Sequence, residues 1–335
     1  MNIYDVAKLS GVSIATVSRV VNGSEKVSEK TKQKVMAVME EGGYTPNVFA
    51  RGLGLDSMKT VGILCPDISD TYVAEAVSFL EKKLHQYGYD CILGCSGYED
   101  EAKQAHAKLL LSKRIDALIL VSSTYAGRGE KDEGADYVRD AAKQTPVFLV
   151  NGYLEGENIY CSYCDDYQAT YEVTTNYIRR GKRRILFLCD NFDSYSSRRK
   201  LAGYEAALID AGFPVLGDLK FYAKSRIHHV RDMLLAHRNL DFDCVLATND
   251  ELAIGALKYA KARGLDVPGD ISITGYNNSQ LSVSSEPELT SVDNQLKQLC
   301  DDTVANMIKV LRGDEDVIAR NKVPCTIKKR CTTDY

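Results

Sequence analysis

From Val61 onward, short uninterrupted apolar runs alternate with stretches long enough for helices, and few architectures accommodate that pattern. Val61-Gly62-Ile63-Leu64-Cys65 is one such run, and the spacing predicts a helix over about 72–87 behind it. Cys91-Ile92-Leu93, a helix near 101–111, and the runs at 117–121 and 147–150 continue the series. The runs at 185–188, 244–247 and 271–274 form a second series, again separated by helix-length segments. Strands that are apolar on both faces must be covered on both faces, which is the signature of parallel sheets with helical crossovers. Two series therefore predict an α/β fold with two doubly wound lobes. Ligands bind at the carboxyl ends of such strands, so two facing lobes make a cleft.

Other classes are excluded by what the 335 residues lack. No apolar run approaches the ~18 residues of a membrane span. The first residues carry Asp5 and Lys8 and mix polar with apolar groups, unlike a secretory leader, so a cytoplasmic chain with no membrane partner is expected. There is no G-x-G-x-x-G, P-loop or nucleophile elbow, and no Ser-His-Asp or paired-carboxylate pattern at catalytic spacing. No enzyme activity, cofactor or metal site is expected. The ten cysteines are scattered and read as reduced, mostly buried thiols. Cys161 and Cys164 form a C-x-x-C, but no second cysteine pair lies nearby and the histidines are remote in sequence, so it reads as core or loop thiols.

A net charge of −4 argues against nucleic acid only if the charge is even, and it is not. Residues 1–55 hold seven basic and five acidic groups, while the remainder holds 35 basic against 41 acidic. A small basic head precedes an acidic body. In the head, Ile3, Val6, Ala7 and Leu9 have helical spacing, Gly11 suits a tight turn, and Ser13 is a good N-cap for a helix from Ile14 to Val21. Ser28 caps a third helix with an apolar stripe of Val35, Val38 and Met39. This is a helix-turn-helix arrangement. The second helix turns Val17, Val20 and Val21 to the core. Its other face carries Ser13, Ala15, Thr16, Ser18 and Arg19, small and polar groups that suit entry into a major groove. Spacing alone also permits a solvated helix on a generic three-helix subdomain.

The run Tyr4-Asp5-Val6-Ala7, Gly11-Val12-Ser13, Thr16-Val17-Ser18-Arg19-Val20-Val21-Asn22, Val27-Ser28, Thr31 and Gly43-Tyr44-Thr45-Pro46-Asn47 resembles the LacI/GalR family of bacterial transcription regulators. The resemblance implies that Tyr4, Ile14, Ala15, Thr16, Ser18 and Arg19 face bases or phosphates of double-stranded DNA. It implies that Asn22, Ser28 and Thr31 hold the sugar-phosphate backbone. Ile14 and Ala15 are apolar, so they can only contact thymine methyls or exclude bulk. Asn47, Ala50 and Leu53 resemble the family's hinge helix, whose leucine wedges into a minor-groove step. Gly52 and Gly54 depart from the usual hinge, each at about 1 kcal/mol of helix propensity. The expectation is a hinge that folds only when two copies pair on DNA.

The body resembles the family's effector domain through Pro66-Asp67-Ile68-Ser69, Gly203-Tyr204-Glu205-Ala206-Ala207-Leu208, Thr248-Asn249-Asp250, Gly275-Tyr276 and Leu289-Thr290-Ser291-Val292, among other stretches. By that resemblance Tyr72 stacks on the effector and Asn249 hydrogen-bonds it, with Asp250 as a structural neighbour. Tyr222 is a further contact, and Tyr125 and Tyr153 are other aromatic candidates. Two positions depart. Lys200 stands where the family usually has arginine, losing the planar fork. Asn277 stands where it usually has aspartate, losing a charge. The pair implies an effector unlike the commonest one, or a cleft that no longer takes a sugar.

The resulting expectation is a homodimeric repressor on a pseudo-palindromic operator, modulated by a sugar-like small molecule. Residues 1–46 form the head, 47–59 the hinge and linker, and 60–335 the effector and dimerisation domain. Within that domain the first lobe is expected over about 60–160 plus 290–320, and the second over about 161–289. The segment after the last predicted helix (294–312) has one strand near 323–327 and no leucine heptads, so a tetramer built on such a tail is not expected. A transport-type binding protein would need an export signal, and an enzyme would need a catalytic constellation.

Overall fold

The structure is a computed structural model, and it describes residues 1–21, 24, 26–44, 57–237 and 239–334. It divides into two compact units, Met1–Thr60 and Val61–Tyr335.

The first unit contains α1 (Ile3–Ser10), α2 (Ile14–Val21) and α3 (Glu29–Glu41). Val6, Ala7, Val17 and Val35 are buried at its centre, with Val20, Val21, Val38 and Met39 packed around them. Leu9 differs from expectation and is 65 % exposed. At about 100° per residue it falls well off the face that Ile3, Val6, Ala7 and Ser10 share. Gly11 ends α1 at φ +64°, where its N–H reaches the carbonyls of Ala7 and Lys8, a left-handed position that favours glycine. Asn2 opens α1 with a capping box, its side chain accepting from the N–H groups of Tyr4 and Asp5 while Asp5 accepts from the Asn2 N–H. Asn2→Ala should cost about 1 kcal/mol of head stability. Amide exchange across residues 4–10 should then accelerate about fivefold, with no change in the body.

The second unit holds two six-stranded sheets. The first sheet is ordered β11-β5-β4-β3-β1-β2. Its strands are β1 (Thr60–Cys65), β2 (Asp90–Cys95), β3 (Ala117–Val121), β4 (Val147–Val150), β5 (Ile159–Cys164) and β11 (Arg320–Val323). The second is ordered β12-β10-β9-β8-β6-β7. It contains β6 (Ile185–Cys189), β7 (Lys220–Tyr222), β8 (Cys244–Ala247), β9 (Ser272–Tyr276), β10 (Thr290–Asp293) and β12 (Thr326–Lys328). Residues of β1, β3, β4, β6, β8 and β9 are almost all buried, as their unbroken apolar composition requires.

In the first lobe, α4 (Thr71–Gln86), α5 (Asp100–Leu111) and α6 (Asp136–Ala142) cover the sheet together with α12 (Leu296–Arg312). In the second lobe the covering helices are α7 (Asp166–Arg179), α8 (Tyr195–Asp210), α9 (Ile227–Ala236), α10 (Asp250–Arg263) and α11 (Gln280–Ser284). Each lobe has apolar cores on both faces of its sheet.

The lobe limits differ from expectation. Residues 161–164 complete β5 of the first sheet, and residues 290–293 form β10 of the second. The single strand expected near 323–327 is two strands in different sheets. Pro324 lies between them, and its missing N–H cannot continue a ladder. β12 runs antiparallel to β10, so the second sheet is not wholly parallel. The chain thus passes between the lobes three times, at 164–166, 293–296 and 323–326.

Candidate functional site

A cleft of about 830 Å³ lies between the lobes, lined by Pro66, Ser122 and Asn151 from the first and by Asp190, Thr248 and Asn277 from the second. Each of these residues directly follows a strand (β1, β3, β4, β6, β8 and β9), so the cleft sits at carboxyl ends of both sheets. The first turns of α4, α8 and α10 also face it, through Tyr72, Ser196 and Glu251.

Tyr72, Lys200, Tyr222, Asn249 and Asn277, separated by long stretches of sequence, all line this cleft. They differ in what their polar atoms do. Tyr72 is buried in the first lobe's core, and its hydroxyl has no hydrogen-bond partner. Tyr222 is 55 % exposed, at the rim. Asn249 caps α10 by accepting from the Leu252 N–H and donates to Asp190 and Ser225, both at 3.0 Å. Asn277 holds φ at +92°, and its amide oxygen accepts from Asn294 at 3.1 Å. Tyr125 and Tyr153 do not line the cleft. Tyr125 is buried with its hydroxyl 2.8 Å from Ser96, and Tyr153 stacks on Tyr195 and donates to Glu155.

Lys200 is drawn into the second lobe. Its ammonium lies 3.6 Å from the centre of the Tyr276 ring and donates to the Thr248 carbonyl at 3.1 Å. The Tyr276 hydroxyl donates to Asp166 at 2.6 Å, and Ser196 donates to the other oxygen of Asp166, also at 2.6 Å. Burial pushes the Asp166 carboxyl up, and the nearby Lys200 charge and the two hydroxyls pull it back. Lysine at this position therefore serves a buried cation–aromatic–carboxylate network, a role that a bulkier guanidinium would fill with different geometry. Asp250 is structural. It accepts from the Ser279 N–H and hydroxyl, both at 2.7 Å, and from Ser291 at 2.6 Å.

Sequence reasoning missed the acids of the cleft. Asp70 caps α4, Asp190 follows β6, and Glu251 stands in the first turn of α10. Burial raises all three first; Asp67 adds to the rise of Asp70, Asp70 to that of Asp190, and both Asp70 and Asp190 to that of Glu251. Asp190 carried a readable signal as the first polar residue after the apolar run Ile185–Cys189.

On the head, Tyr4, Ser13, Ile14, Ala15 and Arg19 are exposed, and Thr16, Ser18, Ser28 and Thr31 lie at or near that surface with at most partial burial. Tyr4 is 68 % and Ile14 42 % exposed. The Ser13 hydroxyl caps α2, accepting from the Thr16 N–H at 3.2 Å and meeting the Thr16 hydroxyl at 2.9 Å. Ser28 does the same for α3 with Thr31. Asn22, Asn47, Ala50 and Leu53 lie outside the described residues.

Residues 2–47 match the family described as bacterial regulatory proteins, lacI family. Residues 58–331 match the family of periplasmic binding proteins and sugar binding domain of LacI family. The chain belongs to the LacI family. It is a transcriptional regulator with a DNA-binding head, not an enzyme. An HTH-type transcriptional regulator of Lachnoclostridium phytofermentans is 47 % identical over 100 % of both chains. The regulator GalR of Escherichia coli is 33 % identical over 87 % of this chain and 83 % of its own. The fold is that of the lac repressor dimer solved with operator and the anti-inducer ONPF, at 24 % identity, TM-score 0.86, and 100 % and 99 % coverage of the two chains. No helix among the described residues is long and apolar enough to cross a membrane.

Proposed function

We propose that this LacI-family regulator is a cytoplasmic homodimeric repressor whose operator affinity is set by a neutral, hydroxyl-rich small molecule in the interlobe cleft. One observation carries the effector class. The cleft is lined by Asp67, Asp70, Asp190, Asp193, Asp250 and Glu251 against Lys200, Lys224 and Arg226. Even with Lys200 counted, its ammonium turned onto the Tyr276 ring, the six acids outweigh the three cations. Carboxylates accept hydrogen bonds from sugar hydroxyls and repel phosphates or carboxylates. Tyr72, Tyr222, Asn249, Asn277 and Lys200 are the proposed contacts. Effector closure of the lobes would change the spacing of two hinges and so couple the cleft to DNA.

On DNA, Tyr4, Ile14, Ala15, Thr16, Ser18 and Arg19 are proposed to face bases and phosphates, with Ser13 completing that surface. Asn22, Ser28 and Thr31 are proposed to hold the backbone, and Asn47, Ala50 and Leu53 to form the hinge contact. A head with so small a positive excess depends on pairing and hinge contacts more than on bulk charge.

Two measurements test this. A mobility-shift selection against palindromic DNA should give a salt-sensitive specific complex, and failure to obtain one with or without candidate sugars would sink the repressor reading. In the same assay Leu53→Ala should weaken specific binding about tenfold or more, with non-specific binding nearly unchanged; equal losses would refute the wedge. A thermal-shift screen should favour neutral sugars over their phosphates.

A further inference from the structure

Two thiols and a carboxylate meet where the chain passes between the lobes. Cys164 ends β5 at the first crossover, Asp166 opens α7 on its far side, and Cys325 lies on the third crossover between β11 and β12. The two Sγ atoms and an Asp166 oxygen lie within 4.8 Å of one another. The Cys164 thiol also donates to the Asn294 carbonyl at 3.1 Å, so the cluster touches all three crossovers. The geometry points to a binding site for a thiophilic divalent cation of the zinc class, held by Cys164, Cys325 and Asp166.

Three arguments carry this. The first is donor chemistry. Two sulfurs and a carboxylate suit a borderline-soft cation better than a hard one. The second is spacing. Zinc–sulfur bonds of ~2.3 Å place tetrahedral ligands roughly 3.7 Å apart, so the observed cluster needs only small side-chain rotations. The Tyr276 hydroxyl, 2.6 Å from Asp166 and 3.5 Å from Cys325, borders the cluster, and a water would complete a tetrahedral set. The third is charge. Cys164 and Asp166 are buried, and burying a bare dication there would be prohibitive. Binding instead breaks two S–H bonds, forms two S–metal bonds and releases two protons to solvent, so the net charge of the site does not change. Lys200 continues to offset Asp166 from behind the Tyr276 ring. Cys325 is only half-buried and gives the cation a way in.

The C-x-x-C of the sequence is not this site. Three residues apart on a strand, Cys161 and Cys164 point to opposite faces of the sheet. The Cys161 thiol accepts from the Leu154 N–H and donates to the Leu154 carbonyl, both at 3.5 Å. A cation at Cys164 and Cys325 would tie together the segments about which the lobes move, making the regulator responsive to a metal as well as to the cleft.

The test is titration of the reduced full-length chain with Co²⁺ as an optical substitute for Zn²⁺. A thiolate-to-cobalt absorption should saturate at one ion per chain, be displaced by Zn²⁺, and rise steeply with pH because two protons leave. Cys164→Ser and Cys325→Ser should each weaken it about tenfold or more, as loss of a ligand does, while Cys161→Ser should not. If Cys164→Ser fails to fold, alkylation of the unaltered chain decides. Zn²⁺ should protect the half-buried Cys325 and leave the exposed Cys95 and Cys331 reactive. Absence of a thiolate band, its survival in both serine variants, or equal alkylation with and without Zn²⁺ overturns the site.

Discussion

Lys200→Met is expected to destabilise the body by about 3–5 kcal/mol at neutral pH, measured by urea unfolding. Lys200 and Asp166 are 5 % and 2 % exposed, so neither can recover water when its partner is lost. Methionine fills the space of the lysine stem but leaves the Asp166 carboxyl without its nearby cation, and it leaves the Thr248 carbonyl without its ammonium. The pH dependence has a definite sign. Asp166 already has its folded pKa raised above the unfolded value, chiefly by burial. An acid so placed stabilises the fold fully below its unfolded pKa, and that contribution is lost as pH rises through the folded pKa. Removing Lys200 raises the folded pKa further. The deficit of the variant relative to the parent should therefore shrink on acidification from neutral pH, because Asp166 takes a proton and ceases to be a buried charge. A deficit independent of pH would mean that Lys200 contributes packing alone. Adding Asp166→Asn to Lys200→Met should restore part of the loss, and simple additivity of the two changes would argue against coupling.

Gly203→Ala should destabilise the second lobe by about 3 kcal/mol or more, although alanine is the better helix former. A Cβ built on Gly203 meets the Tyr167 carbonyl oxygen at 2.1 Å and the Thr170 hydroxyl at 2.4 Å. Neither obstacle yields easily. The carbonyl is backbone of α7, and the Thr170 hydroxyl is tied to the carbonyls of Asp166 and Lys200. Helices α7 and α8 would have to separate, and with them the Asp166–Tyr276–Lys200 network that both helices hold. Gly217→Ala is the matched control, since nothing lies within 4 Å of its added methyl, and its effect should stay within about 0.5 kcal/mol. A tolerated Gly203→Ala would show that the two helices have slack.

How far the sequence could be read follows from how local each signal was. Strand runs such as Ala117–Val121 name themselves, because double-sided burial leaves no room for polar residues. The cap residues Ser13 and Ser28 act within one turn, so their roles were legible too. The head and body motifs were specific enough to name the family, and Tyr72, Asn249 and Asn277 came from position within them. The retraction of Lys200 was not legible. It depends on Asp166 and Tyr276, which only the fold brings beside it. The meeting of Cys164 with Cys325 was hidden for the same reason, while Cys161, the near neighbour in sequence, is tied to Leu154 instead. The lobe limits were misplaced because a crossover leaves no mark in hydrophobic periodicity.

The three passages between lobes also bear on the order in which parts of the chain can close during synthesis. Each sheet takes an outer strand from the last part of the chain, β11 for the first lobe and β12 for the second. While the ribosome is still adding residues before these strands, β5 and β10 each lack a neighbour and offer an open edge to other nascent chains. The head has no such dependence. Its core is closed by Val35, Val38 and Met39, all far ahead of β11 and β12 in the chain. A nascent polypeptide of this regulator therefore carries a folded head long before it carries the body that pairs two heads and senses the effector. Truncated products would be heads without the body that pairs them, and their unpaired sheet edges would expose them to aggregation and proteolysis.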